Sequence, residues 1–221
     1  MRADRKKKIT LIIAAAIVLF GAIVFLFFNR KGTSSLRRPD RWRGSVVVYK
    51  SNRDEDGDGT DDQTDILQSA IRYIGTKPKY KSKYYDGGYP DDGYGVCTDL
   101  VAAALKGAGY DLRELVDQDI REHPENYDVV TPDSNIDYRR VKNLRVWFKN
   151  NAISCSLDLN DIEEWQGGDI VIFENHIGIV SDRRNERGVP YVIHHSGPTQ
   201  RHYEEDILEK RNDLAGHYRM S

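Results

Sequence analysis

DIVIFENHIGIVSDRRNERGVPYVIHHS, residues 169–196, is the stretch on which the fold turns. Three runs rich in Val, Ile and Tyr, at 169–173, 176–182 and 190–196, read as strands, the last two joined by an Arg/Asn/Gly turn over 183–189. A fourth strand is expected over 215–220. Upstream the period is helical instead. Ile66, Leu67, Ala70, Ile71 and Ile74 form a stripe over 64–74, and CTDLVAAALKG at 97–107 is a second helix stopped by Gly107 and Gly109. Residues 111–122 and 137–150 give a third and a fourth helix, the latter with Val141, Leu144, Trp147 and Phe148 on one side and Asp137 as its cap. Helices first and an antiparallel sheet afterwards make an α+β domain.

At the other end, residues 9–28 (ITLIIAAAIVLFGAIVFLFF) carry no charge. Twenty residues at 1.5 Å each span about 30 Å, the hydrocarbon thickness of a bilayer. The run ends in Phe25-Leu-Phe-Phe28 without a small-x-small cleavage site, so it reads as an uncleaved single-pass anchor rather than a signal peptide. Basic residues flank both ends, including Arg30, Lys31, Arg37 and Arg38, so charge does not set the orientation. A short tail (1–8) before a first helix favours a cytoplasmic N-terminus and an extracytoplasmic domain. Residues 29–53, rich in Arg, Ser and Gly near the helix, read as a linker, and 64–221 as the domain.

Residues 1–31 hold seven of the 33 basic residues and one of the 35 acidic ones. The remainder, 26 basic against 34 acidic, is net negative by 8. Such a surface lacks the Lys/Arg clustering that phosphate binding needs, so nucleic acid is set aside. Two cysteines, Cys97 and Cys155, are too few for a disulfide scaffold, although they could form one bridge.

Cys97 stands where a loop becomes a helix. Unpaired N–H groups and the helix dipole there lower a thiol pKa and favour the thiolate nucleophile. A small buried packing residue is the plainer alternative. His176 opens one strand and His194 lies on the next. If Gly178 lies opposite His194, the two histidines are diagonal neighbours on one face, a base and its orienting partner, and His195 points to the other face.

Four stretches, Gly95-Val-Cys97-Thr-Asp-Leu-Val, Trp165-Gln-Gly-Gly-Asp169-Ile-Val-Ile-Phe, His176-Ile-Gly-Ile-Val and Val192-Ile-His194, resemble the NlpC-type cysteine peptidases. These are bacterial cell-wall hydrolases with a papain-like fold. A closer resemblance is to the bacterial family called domain of unknown function 1287. It runs through Cys97-Thr-Asp, Asn135-Ile-Asp-Tyr-Arg-Arg-Val141, His176 to Asp182 and Gly216-His-Tyr-Arg219, over roughly 64–219. The resemblance implies Cys97 as nucleophile, His176 as base, His194 as third residue, and peptidoglycan peptides or a related amide as substrate. Tyr94, Asn135 and Arg139 are candidates for reading that substrate. NlpC-type enzymes usually follow the cysteine with Ser or Gly, where this chain has Thr98 and Asp99. Facing the sulfur, Asp99 would raise the thiol pKa; facing away, it would serve the helix dipole.

A second chemical pattern is Asp54-Glu-Asp56-Gly-Asp58-Gly59-Thr60-Asp-Asp62-Gln-Thr-Asp65 (54–65). Carboxylates at loop positions one, three and five with glycine at six are what oxygen coordination of Ca²⁺ requires. Asp54, Asp56, Asp58, Thr60, Asp62 and Asp65 are the candidate ligands of a structural calcium, and a solvated acidic linker is the alternative. Two other readings compete with the hydrolase: a non-catalytic, calcium-stabilised wall-binding module, and a zinc site on Cys97, His176 and His194. The lack of Cys-x-x-Cys or His-Glu-x-x-His spacing makes zinc the weakest.

Overall fold

The computed structural model describes residues 2–28 and 32–220, so the expected flanking charges Arg30 and Lys31 lie outside the described residues. Its first unit is helix α1, Arg2–Phe28. Within it Lys7–Val24 has a mean hydropathy of 2.2, which makes α1 long and apolar enough to cross a membrane.

The second unit, residues 33–221, is a mixed α+β domain. Helix α2 (Asp62–Gly75) starts where the Asp61 carboxylate accepts the Thr64 N–H. It buries Ile66, Ala70 and Ile74, spaced by four. Strands β1 (Lys79–Tyr80) and β2 (Tyr94–Gly95) form a short parallel pair inside the Tyr/Gly loop. Helix α3 (Cys97–Lys106) is apolar nearly all round and correspondingly buried, with Leu100, Val101, Ala102, Ala104 and Leu105 fully enclosed. Helix α4 (Leu112–Glu122) is capped by Asp111 and packs through Leu112, Val116 and Ile120. The fourth expected helix begins later than its stripe implied. Asp137 does not cap it but opens a 3-10 turn to Arg139, holding the Asp133 N–H at 2.7 Å, and α5 runs Val141–Asn151.

Six strands follow: β3 (Ile153–Ser154), β4 (Ile170–Phe173), β5 (His176–Arg184), β6 (Pro190–Ile193), β7 (Glu204–Glu205) and β8 (Leu214–Arg219). They form one antiparallel sheet in the order β3-β8-β4-β5-β6-β7. Strand alternation divides the core. Ile170, Ile172, Ile177, Ile179 and Ile193 face the helices, whereas Val171, Phe173, Val180 and Val192 face the other way, onto Trp165 and Leu208.

Residues 33–53 are not a free linker. The Ser34 N–H donates to the Arg201 carbonyl at 2.8 Å and its carbonyl accepts from the Tyr203 N–H at 3.1 Å. Arg37 bonds Glu204 (2.9 Å) and Ser181 (3.0 Å) and pairs with Asp182. Further on, the Arg41 N–H meets the Arg184 carbonyl at 2.9 Å, and Gln166 brackets the chain between Val47 and Tyr49. The segment 45–49 lies there without strand structure of its own.

Candidate active site

Ile179 pairs with Ile193 and Val180 with Val192, a register that places His194 opposite Gly178. A Cβ on residue 178 would lie 2.6 Å from Val192 Cγ1 and 3.1 Å from His194 Cβ, so only glycine lets the strands close here. His176 and His194 therefore share a face, and His176 Nε2 lies 2.9 Å from His194 Nδ1. That face is the one carrying Phe173, on which His176 stacks at 6.1 Å, and not the face on which α3 packs.

Cys97, at the start of α3, packs against the helix-side core that β5 also lines. Extending the register by two residues would set His195 opposite Ile177, but the β5–β6 ladder ends at Ile193. The Ile177 N–H is instead directed at the Cys97 sulfur, as are the N–H groups of Cys97 and Thr98. The sulfur thus sits one peptide unit from His176, where β6 parts from β5. Among the described residues no hydrogen bond joins Cys97 to His176.

Beyond His194 lies a residue that carries no motif. Glu205 Oε2 is 3.3 Å from His194 Nε2. Burial alone would raise its carboxyl, but the His194 hydrogen bond, with the charges of His194, Arg38 and His202, holds it below the usual range. The hydrogen-bond chain fixes the tautomers: Glu205 accepts from His194 Nε2, His194 Nδ1 accepts from His176 Nε2, and His176 Nδ1 keeps a lone pair. The Gln200 amide adds a 3.0 Å bond to the His194 carbonyl. Because the two rings satisfy each other, those nitrogens are not presented to a shared zinc ion.

The electrostatics reverse one expectation. Burial pushes the Cys97 thiol up to about 11 despite the three N–H groups that favour the anion, and the Asp99 charge adds to the rise. Burial, then His194 and Arg211, pushes His176 down to about 3. Asp99 also does what a cap does, accepting the Val96 N–H at 2.8 Å where Val96 offers no side-chain acceptor.

Arg139, expected to read substrate, is withdrawn from solvent. It grips Asp99 at 2.7 and 2.9 Å, both side chains about 2% exposed, and bonds the Lys83 carbonyl. Its role is to hold the start of α3. Asn135 is partly exposed and ties Arg113 (2.9 Å) to the Tyr84 hydroxyl (3.0 Å). Tyr94 keeps part of its ring open, under the Lys83 ammonium at 4.5 Å.

On the helix side of the sheet His195 is fully buried, with its Nδ1 3.4 Å from the Tyr73 hydroxyl and its ring 5.4 Å from that of Tyr80. Burial raises both tyrosines, and the Asp99 charge next raises Tyr73. Tyr73 carried a faint signal in the sequence, a polar tip beside the apolar stripe of α2; Glu205 carried none.

His195, like His176, is held neutral: burial, then His194, pushes it down to about 4. Below the ordinary imidazole value of 6.5 the unfolded chain takes up protons that the folded one refuses until about 4 and 3. The stability these rings contribute is therefore complete above about pH 6.5 and is lost as pH falls from there. At pH 5 the loss is about 2 kcal/mol for each ring. Thermal melts should show a lower Tm at pH 5 than at pH 7.5, and His195→Phe should remove part of the difference. Equal melting at the two pH values rules this account out.

Most of this domain is similar to known chains. A family model described as "Domain of unknown function (DUF1287)" matches residues 67–220. A protein of Escherichia coli (strain K12), described as "Uncharacterized protein YijF", is 38% identical over 167 residues, covering 70% of this chain and 80% of its own length. No solved structure matches the chain. The strand register, the Cys97 helix start and the buried 216–219 stretch all lie inside the matched region, and the chain belongs to the DUF1287 family.

Proposed function

We propose that the domain is a thiol hydrolase of papain-like, NlpC-type architecture, acting on amide bonds. One observation carries the reading: the Glu205–His194–His176 chain leaves the His176 Nδ1 lone pair uncommitted, and the N–H of the next residue, Ile177, bears on the Cys97 thiol. In the proposed sequence Nδ1 takes the thiol proton as sulfur bonds to the amide carbon. The carbonyl oxygen's developing charge is received by the N–H groups of Cys97 and Thr98 at the α3 start. The imidazolium then gives its proton to the leaving amine, and a thioester remains. Water attacks that carbonyl, yielding its proton to Nδ1; the acid departs and the proton returns to sulfur.

Burial disfavours both charged forms, raising the Cys97 thiol and lowering His176, so the free site favours the neutral thiol and neutral imidazole. Proton transfer must accompany attack, in a site that substrate completes. A buried neutral thiol equally favours a second reading, a wall-binding module that keeps the fold without turnover.

The substrate class we infer is the peptide part of peptidoglycan, reached by an anchored domain on the outer side of the membrane. The full chain in detergent, incubated with purified peptidoglycan, should release fragments whose masses mark a cleaved amide. Binding to peptidoglycan without any fragment selects the wall-binding module. Protease added to intact, wall-stripped cells should cut residues 32–221. A domain that stays uncut until the membrane is broken is cytoplasmic and loses this substrate.

A further inference from the structure

The 54–65 stretch lies outside the hydrolase site. Asp54, Asp56 and Asp58 are exposed and turn one carboxylate oxygen each toward a common point, with those atoms all within 4.8 Å of one another. Three acids on a surface loop mean little alone. The fourth is different. Asp65, in the first turn of α2, is 5% exposed, and its Oδ2 is a buried oxygen without any hydrogen-bond partner. Among the described residues it is the only buried carboxylate oxygen so left. It stands one helical turn after Asp61 and Asp62, which accept the Ser51 and Glu55 N–H groups and so fasten the α2 start to the loop. Orphaning a carboxylate oxygen in a nearly water-free position is costly unless a cation completes it.

We propose that Asp54, Asp56, Asp58 and Asp65 bind a calcium ion that fastens the loop to the start of α2. The spacing places them at positions one, three, five and twelve of an oxygen-ligand loop. Gly59 at position six has φ +92°, which a residue with a side chain rarely adopts. Position seven, Thr60, supplies a backbone oxygen in such loops. The ninth position departs from expectation. Asp62 is turned inward, accepting the Glu55 N–H at 2.8 Å and the Tyr110 hydroxyl, so it is a buried strut and water takes its place on the ion. The loop also lies flush on the turn between α3 and α4: a Cβ on Gly109 would come within 3.1 Å of the Asp56 nitrogen. An ion here therefore braces α2, that turn and the segment leading in from residue 53.

The test uses the full chain in detergent, stripped with a chelator and then melted in CaCl₂ or MgCl₂, with calorimetric titration of CaCl₂ alongside. At tenfold excess over its Kd, Ca²⁺ should raise Tm by roughly 3–6 °C, because it binds only the folded loop. Mg²⁺ at the same concentration should do less, since four carboxylates on a loose loop suit the larger ion. Asp65→Asn should remove the calcium response yet melt no lower than the parent chain in chelator, because it relieves a buried charge. Asp56→Asn with Asp58→Asn, at exposed positions, should remove it too. Identical melting of the parent in Ca²⁺ and chelator overturns the proposal, as does a calcium shift that survives in Asp65→Asn. Neither readout involves Cys97, so this site and the hydrolase stand or fall separately.

Discussion

Replacing Cys97 by alanine is expected to lower amide hydrolysis by about 10⁴-fold or more, the scale on which a nucleophile and its base act as one unit. His176→Ala should cost about as much, and the double variant little more, because removing either member already removes the shared proton transfer. The Glu205–His194 arm predicts a graded result. Glu205→Gln leaves the rings in place but no longer fixes which His194 nitrogen holds the proton, so a loss of about 10²–10⁴-fold in kcat with KM little changed is expected. Circular dichroism of each variant separates lost chemistry from lost fold. Cys97→Ala with undiminished activity ends the thiol mechanism, and full activity in Glu205→Gln ends the relay. The raised thiol adds a further expectation: iodoacetamide should label Cys97 slowly near neutral pH and faster toward pH 11, because only the thiolate reacts.

The largest effect on stability is expected at Asp169, far from any chemistry. Its carboxylate is fully buried and accepts five hydrogen bonds: two from Arg219 at 2.8 Å, one from His217 Nε2 at 2.9 Å, and one each from the Gln166 N–H and Gln63 Nε2 at 2.8 Å. Burial would raise its carboxyl, but Arg219 and His217 hold it below the usual range. The His217 ring stacks on Trp165 at 3.8 Å and its other nitrogen meets the Ser156 carbonyl at 2.7 Å. One acid thus ties α2, the turn before β4, and β8. Arg219→Ala leaves that charge buried without its main partner and should cost about 3–5 kcal/mol, or roughly 6–20 °C in Tm. Asp169→Asn should cost a similar amount, now by orphaning the guanidinium. A Tm within 2 °C of the parent for both variants would show that the network is not needed for folding.

The stretches 165–173 and 216–219 are thus explained by packing. Their residues are close only because β8 returns between β3 and β4, a pairing of strands more than forty residues apart.

Much of the domain was legible from the chain alone. The spacing of Ile66, Ala70 and Ile74 fixes one face of α2, and the alternation through Ile177, Ile179 and Ile193 fixes the two faces of the sheet. Parity also put His176 and His194 side by side, because a side chain in a strand can point only one of two ways. What resisted reading depends on partners brought in from elsewhere. Arg37 looks like a membrane-flanking charge until Glu204 is beside it, and Arg139 like a substrate reader until it closes on Asp99.

The sequence by itself determined the main helices and strands, the strand parity, the apolar helix at the N-terminus and the candidates Cys97, His176, His194 and Asp54 to Asp65, since these depend on neighbours one to four positions away. Only the tertiary structure decided three further things: that the thiol is raised rather than lowered, that Glu205 stands behind His194, and that Asp62 is spent on Tyr110 while Asp65 keeps an unpartnered buried oxygen. A pKa, a relay and a coordination sphere are set by burial and by charges within a few ångströms, and for these residues the nearest charges lie in other turns, strands or helices.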